Sequence, residues 1–226
     1  MDTTPPILLI DKPTGMTSFD CIRVLRRALN VRKMGHAGTL DPLASGLMII
    51  GIGSGTKELT EYIKLPKEYV AEVLLGERRS TGDMEGVILE ERDVPTQKKE
   101  DVLNAVESMK GTLRLPVSAY SAVKRGGVPL YKRARMSAAR GEVLKEEELP
   151  VRDMVVTNAA LEGIKEEGTR TILTIRFSVG SGTYIRSLGE ELGRRLGYPA
   201  TLRSLRRTKV GECSVDEARK LTSYEN

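Results

Sequence analysis

One histidine and two cysteines in 226 residues leave little material for metal or thiol chemistry. Cys21 and Cys213 stand far apart, in no metal-binding or redox spacing. A metal site would therefore need carboxylates alone, and no acidic loop of the calcium-binding kind occurs. No metal is expected. No apolar run is long enough to span a bilayer, and the chain does not open on a basic start with a long apolar stretch of the secretory kind. No membrane partner is expected, and a reducing, cytoplasmic setting fits. With 39% hydrophobic and 30% charged residues, the composition is that of a globular chain rather than a disordered one. Its length buries a full core as one large domain or one domain with a substantial insertion, with a monomer as the default.

Acidic residues are missing from three whole windows, residues 21–40, 108–141 and 192–211. These windows hold nineteen of the thirty-six Lys and Arg; the rest of the chain carries seventeen basic against thirty-one acidic residues. Solvated helix faces usually mix signs. Segregated basic blocks point to a surface that meets phosphates.

The apolar pattern predicts short strands at 7–11 and 47–52, and a helix from Ser18 as its cap to about Asn30. A helix is expected at 56–64. "KEYVAEVLLG" alternates with Tyr69, Ala71, Val73 and Leu75 on one face and reads as a strand. A helix at 97–109, paired strands around the "KEEGT" turn, a helix at 183–197, a basic strand at 201–211 and a short helix in "SVDEARKL" follow. Residues 112–141 read as irregular and basic, and long irregular segments in compact domains tend to be binding elements or disordered. Without strict alternation of strand and helix, α+β is favoured over a doubly wound sheet. "GIGSGT" lacks the third glycine and the surrounding unit of a dinucleotide fingerprint, and reads as a strand-to-helix turn.

"GHAGTLDPLASG" places Asp41 among Gly, Ala, Leu and Pro. Asp-Pro with glycine makes an ordinary turn, yet a carboxylate in apolar company needs a partner, and an arginine supplies one through a bidentate contact. "SGTYIRSL" sets Tyr184 and Arg186 where a strand enters a helix. On that segment alone, a plain helix start with an exposed arginine is an equal reading. A Ser-His-Asp triad on His36 has no nucleophile elbow to accompany it.

These residues resemble the TruB family of bacterial tRNA pseudouridine synthases. "DKPTGMTS", "GHAGTLDPLASG", "KEYVAEVLLG", "STGDMEG", "AYSAVK", "LYKRAR", "GTYIRSLGEELG" and "LRRTKVG" each resemble a family block, in the family's order, across residues 7–211. The resemblance implies a mixed fold on a long, mostly antiparallel central sheet flanked by helices, with a basic RNA-clamp insertion at about 112–150. It implies isomerisation of the T-loop uridine of tRNA (position 55) to pseudouridine, with the T-arm stem-loop as partner and, since the net atoms are unchanged, no cofactor. Asp41 matches the catalytic aspartate and Arg186 the arginine that pairs with it. His36, Tyr69, Tyr184 and Leu205 match uridine-binding positions, Tyr69 being also a candidate for proton transfer. Lys12, in the supporting Lys-Pro motif, and Asp83, a more distant acid, are counted with the substrate- or RNA-binding residues. Ser80 stands where many members carry an acid, and "VSAYSA" lacks the usual double proline. The chain is expected to lack the C-terminal RNA-binding (PUA) module of longer members. Two rivals are a guide-RNA-dependent enzyme of the dyskerin type and a non-catalytic tRNA-binding or tRNA-folding protein.

Overall fold

In the computed structural model, residues 5–144 and 146–224 are described. Along the chain run β1 (Ile7–Lys12), α1 (Ser18–Leu29), β2 (Met34–His36), β3 (Ala44–Ile52), α2 (Leu59–Lys64), β4 (Lys67–Leu75), β5 (Glu77–Arg79) and β6 (Ile88–Glu91). Then come α3 (Lys99–Glu107), β7 (Gly111–Pro116), β8 (Lys124–Arg125), β9 (Val128–Pro129), α4 (Leu130–Ala138), β10 (Val151–Glu167) and β11 (Arg170–Val179). The order closes with α5 (Ile185–Leu196), β12 (Ala200–Val210), β13 (Cys213–Ser214) and β14 (Arg219–Lys220). Among the described residues the main sheet has the order β14-β1-β3-β12-β4-β11-β10-β7, with β2 on β3 and β13 on β12. Antiparallel pairs (β1 with β3, β7 with β10) coexist with parallel ones (β3 with β12, β1 with β14).

The chain forms two compact units. The first takes in the chain up to Val70, Ser178–Ser181 and the residues from Ser204 onward; the second is Ala71–Phe177 with Gly182–Arg203. The first is closed by an apolar cluster of Ala37, Leu47, Ile49, Leu59 and Val210. In the second, α3 packs on β10 and α5, and burial of Val102, Val106, Met154, Leu188 and Leu192 removes their apolar surface from water.

The strands at 7–12 and 67–75 form where apolar runs and alternation place them, β3 starts at Ala44, three residues before the expected 47–52, and Tyr69, Ala71, Val73 and Leu75 are all buried. Three expectations are corrected. Thr17, not Ser18, caps α1: its side chain accepts from the Asp20 N–H while the Asp20 carboxylate accepts from the Thr17 N–H, a capping box with Asp in place of Glu. "SVDEARKL" is not a helix. It starts a capped 3-10 turn at Val215–Glu217, then Arg219 and Lys220 pair with Ile10 and Asp11 of β1, because sheet hydrogen bonds at an open strand edge outweigh one more helical turn. The segment 112–141 is more regular than its composition: β7 pairs with β10, β8 and β9 make a small hairpin, and α4 follows.

Candidate active site

The Asp41 turn between β2 and β3 is pinned from both sides within the first unit. Displaced from capping, the buried Ser18 hydroxyl donates to the Leu40 carbonyl at 2.9 Å and accepts from the Leu40 N–H at 2.8 Å. On the other side the Gly15 N–H donates to the Pro42 carbonyl at 2.8 Å, and the Ala44 N–H to that of Asp41 at 3.0 Å. These backbone anchors, immediately before and after Asp41 and the first of them buried, hold a half-buried carboxylate in a set place. A side chain held by its surroundings needs no reordering when substrate arrives.

Lys12, at the end of β1, is fully buried. Its ammonium donates to the carbonyls of Pro13 (2.8 Å) and Met16 (2.6 Å), which shapes the "KPTG" turn that presents Gly15 to Pro42. Burial pushes the Lys12 pKa down, against the opposing pull of Cys21 and Asp41. Lys12 therefore braces the loop and presents positive charge to Asp41.

Arg207 is the residue that sequence reasoning missed. On β12, only 1% exposed, it donates through Nε to the Leu47 carbonyl at 2.7 Å and through Nη2 to that of Gly38 at 3.2 Å. Its backbone lies so close to β3 that a Cβ on Gly46, where φ is +102°, would stand 2.2 Å from its carbonyl oxygen. Only glycine satisfies both the conformation and the approach. The signal available was an arginine in the strand "TLRSLRRTKVG", which offers no hint that its side chain points inward. The same parallel pairing sets Leu205 opposite Ala44, three residues beyond Asp41.

His36 ends β2 opposite Ile50. Burial first, and then the Arg207 charge, hold its pKa below the ordinary 6.5, so the imidazole is neutral at pH 7. Its Nδ1 is buried without a hydrogen-bond partner among the described residues. Tyr69 is buried on β4. Its neighbour Glu68 accepts from the Thr208 hydroxyl at 2.7 Å, which fixes this part of β4 against β12. Lys67 lies on the same buried face and donates to the carbonyls of Ile63, Leu65 and Tyr62; burial and then Arg207 lower its pKa to about 8.

The second unit holds the remaining candidates. Arg186 sits in the first turn of α5 and is buried, so the reading of an exposed helix-start arginine is corrected. Its guanidinium donates to the carbonyls of Thr81 (3.2 Å) and Tyr120 (3.1 Å) and lies 3.6 Å from the Asp83 carboxylate. Asp83 is itself buried and accepts from the Thr81 hydroxyl at 2.5 Å and the Glu85 N–H at 3.1 Å. Asp83 and Arg186, far apart in sequence, are thus one buried pair. A buried pair fixed by added hydrogen bonds holds a guanidinium in a single orientation. Tyr184, half-buried, is the extended residue at the N-terminus of α5. Among the described residues no group of three or more His, Cys, Asp or Glu is arranged to hold a metal ion, and no helix is long and apolar enough to cross a membrane.

Comparison with known proteins gives this geometry a lineage. Residues 26–185 match the family profile described as TruB family pseudouridylate synthase, N-terminal domain. A protein of Corynebacterium efficiens named tRNA pseudouridine synthase B is 39% identical over 212 residues, covering 94% of this chain and 69% of the relative. Proteins of the same name from Leifsonia xyli and Streptomyces coelicolor are 40% and 38% identical, each covering 97% of this chain and 71% and 72% of the relative. Among solved structures, a chain of a Cbf5-Nop10-Gar1 complex superposes with a TM-score of 0.68 at 26% identity, over 96% of this chain and 52% of that one. A chain of an H/ACA RNP bound to a substrate RNA containing 2'-deoxyuridine gives 0.66 at 25%, over 96% and 51%. This chain thus spans about half the length of those solved chains. The chain belongs to the TruB family of pseudouridylate synthases.

Proposed function

We propose that this chain is a tRNA pseudouridine synthase that isomerises the T-loop uridine at tRNA position 55, with Asp41 as nucleophile. The single observation that carries the reading is the Asp41 turn, pinned at Leu40 and Pro42 and facing the charge of Lys12. In the reaction the N1–C1′ bond breaks, the uracil turns, and a C5–C1′ bond forms; the proton leaves C5 and N1 ends protonated. Atoms and electrons balance with no co-reactant. The chemistry calls for a carboxylate beside the nucleoside, as in glycoside hydrolysis, and for a site that keeps water from the glycosyl species.

Asp41 supplies the carboxylate, and its neighbours Leu40, Pro42, Leu43 and Ala44 supply dry walls. Arg186 is assigned as the cation that serves this carboxylate chemistry, its guanidinium oriented by Asp83. Tyr69 is assigned to the uracil face and to the final proton transfer, with Tyr184, Leu205 and His36 contacting the nucleotide or its RNA. The target base leaves its loop at a cost of about a few kcal/mol of unstacking. The T-arm is held by the basic segment 112–150, whose helix α4 exposes Lys132, Arg133 and Arg135. The protein works as a cytoplasmic monomer on this reading.

The test separates chemistry from binding. Asp41→Asn is expected to form no pseudouridine in an unmodified tRNA transcript while its RNA affinity stays within a few-fold of the parent. Full turnover in that variant refutes the assignment. The likeness to chains of H/ACA complexes favours, as second reading, an enzyme that depends on a guide RNA and protein partners. Turnover by the purified chain alone decides between the two.

A further inference from the structure

We propose that the solvent face of α1, with the turn after it, is a second RNA-contact surface, holding backbone phosphates on an arginine stripe and one unpaired base on Phe19. The proposal rests on the RNA-directed reading above and adds to it a surface outside both the Asp41 turn and the 112–150 segment. α1 buries Ser18, Cys21, Ile22 and Leu25. The opposite face carries Phe19, Arg23, Arg26 and Arg27, at i, i+4, i+7 and i+8, a single stripe about 12 Å long at the helical rise. Phe19 is 54% exposed, an unusual place for one of only two phenylalanines in the chain. The Arg23 and Arg26 guanidiniums lie 5.7 and 5.6 Å from its ring centre.

The stripe continues beyond the helix. Arg26 donates to the Met34 carbonyl at 3.2 Å, which ties it to β2 two residues before His36, and Arg32 and Lys33 in the connecting turn are both exposed. The basic track therefore runs from Phe19 to the strand that leads into the Asp41 turn, all within the first unit.

Compensating charge is scarce here. Asp20 is engaged in the Thr17 capping box and pairs with Arg23, and no acid follows until Asp41. Arg27, Arg32 and Lys33 enter no ion pair among the described residues. Cations in the last helical turn complement the helix dipole, which accounts for Arg26 and Arg27. Asp20 accounts in part for Arg23; neither accounts for Arg32, Lys33 or the exposed ring. Exposed cations in line, most of them outside any ion pair among the described residues, with an aromatic face and guanidinium planes beside them, fit a polyanion that also has bases to stack.

Equilibrium binding of an unmodified tRNA transcript, measured across a range of salt, tests this. The double variant Arg23→Gln/Arg27→Gln is expected to make the slope of log K against log salt shallower by about 1.4–1.8, at about 0.7–0.9 per lost phosphate contact. The Arg23→Lys/Arg27→Lys pair, which keeps both charges, retains the slope. Phe19→Ala is expected to bind about tenfold more weakly with the slope unchanged. Lys99→Gln/Lys165→Gln removes two exposed charges from the second unit and is expected to leave the slope as it was. Thermal unfolding of each variant confirms that the fold is retained. An unchanged slope in the arginine-to-glutamine pair, unchanged affinity in Phe19→Ala, or an equal slope change in the lysine control overturns the proposal and leaves the functional reading standing. A parent chain that binds no tRNA at any salt overturns the functional reading itself.

Discussion

Arg207 has no solvent to share its charge with, and its guanidinium rests on two backbone carbonyls, those of Leu47 and Gly38. Its influence is visible on His36, whose pKa is lowered by burial and, secondarily, by this charge. Because His36 is the only histidine, its imidazole signal in an NMR titration is unambiguous. Its midpoint is expected below 6.5 and should rise in Arg207→Met; a midpoint that stays put removes Arg207 as a cause. The sign for stability follows from the same shift. As pH falls through 6.5 the unfolded chain takes up a proton that the folded chain refuses, so folding weakens on the acid side, by at most about 1.4 kcal/mol per pH unit. The same variant also removes the arginine donor from the Leu47 and Gly38 carbonyls, at about 1–3 kcal/mol for a buried acceptor left unpaired, offset in part by the loss of a buried charge.

Two adjacent hydroxyls at the start of α1 divide the labour of that element. Thr17 closes the helix end, while Ser18 turns away from the helix to hold both backbone groups of Leu40. Thr17→Ala is expected to cost about 1 kcal/mol of stability with kcat little changed. Ser18→Ala releases the residue before Asp41, and kcat should fall well beyond any change in RNA affinity. Comparing kcat, RNA affinity and urea unfolding for the two variants checks the division; equal loss of kcat in both contradicts it. The sequence placed a helix here correctly but assigned its cap one residue late, because Thr-Ser offers two capping hydroxyls and local pattern cannot choose between them. Leu40, twenty-two residues further on, makes the choice.

At the scale of the molecule, basic charge lies in three acid-free windows: the first contains most of α1 and all of β2, the second α4, the third β12. Long-range attraction from such blocks is screened by salt. On an unmodified tRNA transcript, with no guide RNA and no other protein, the purified chain should show turnover that weakens through KM as salt rises while kcat holds. Turnover that appears only with added partners, or a KM indifferent to salt, goes against the reading. Much of the proposed site was drawn from short distinctive blocks: Asp41 and Arg186 stand out in local sequence, and Tyr69 enters through the family resemblance that those blocks carry. The role of Asp83 was not, since its ion pair with Arg186 joins residues about a hundred positions apart.

By itself the sequence determined the periodic elements, the family blocks and the segregation of charge, because each depends on neighbours within a few turns of chain. Tertiary structure decided which polar groups were taken out of water and what they then faced. An arginine in a basic strand became the buried brace of Gly38 and Leu47, and a glycine in a loop of small residues became the only fit against its backbone. A tail that reads as helix became a strand, because β1 offered it an open edge. In each case the outcome depends on partners remote in sequence, whose burial sets the energy of a polar group more strongly than any local preference.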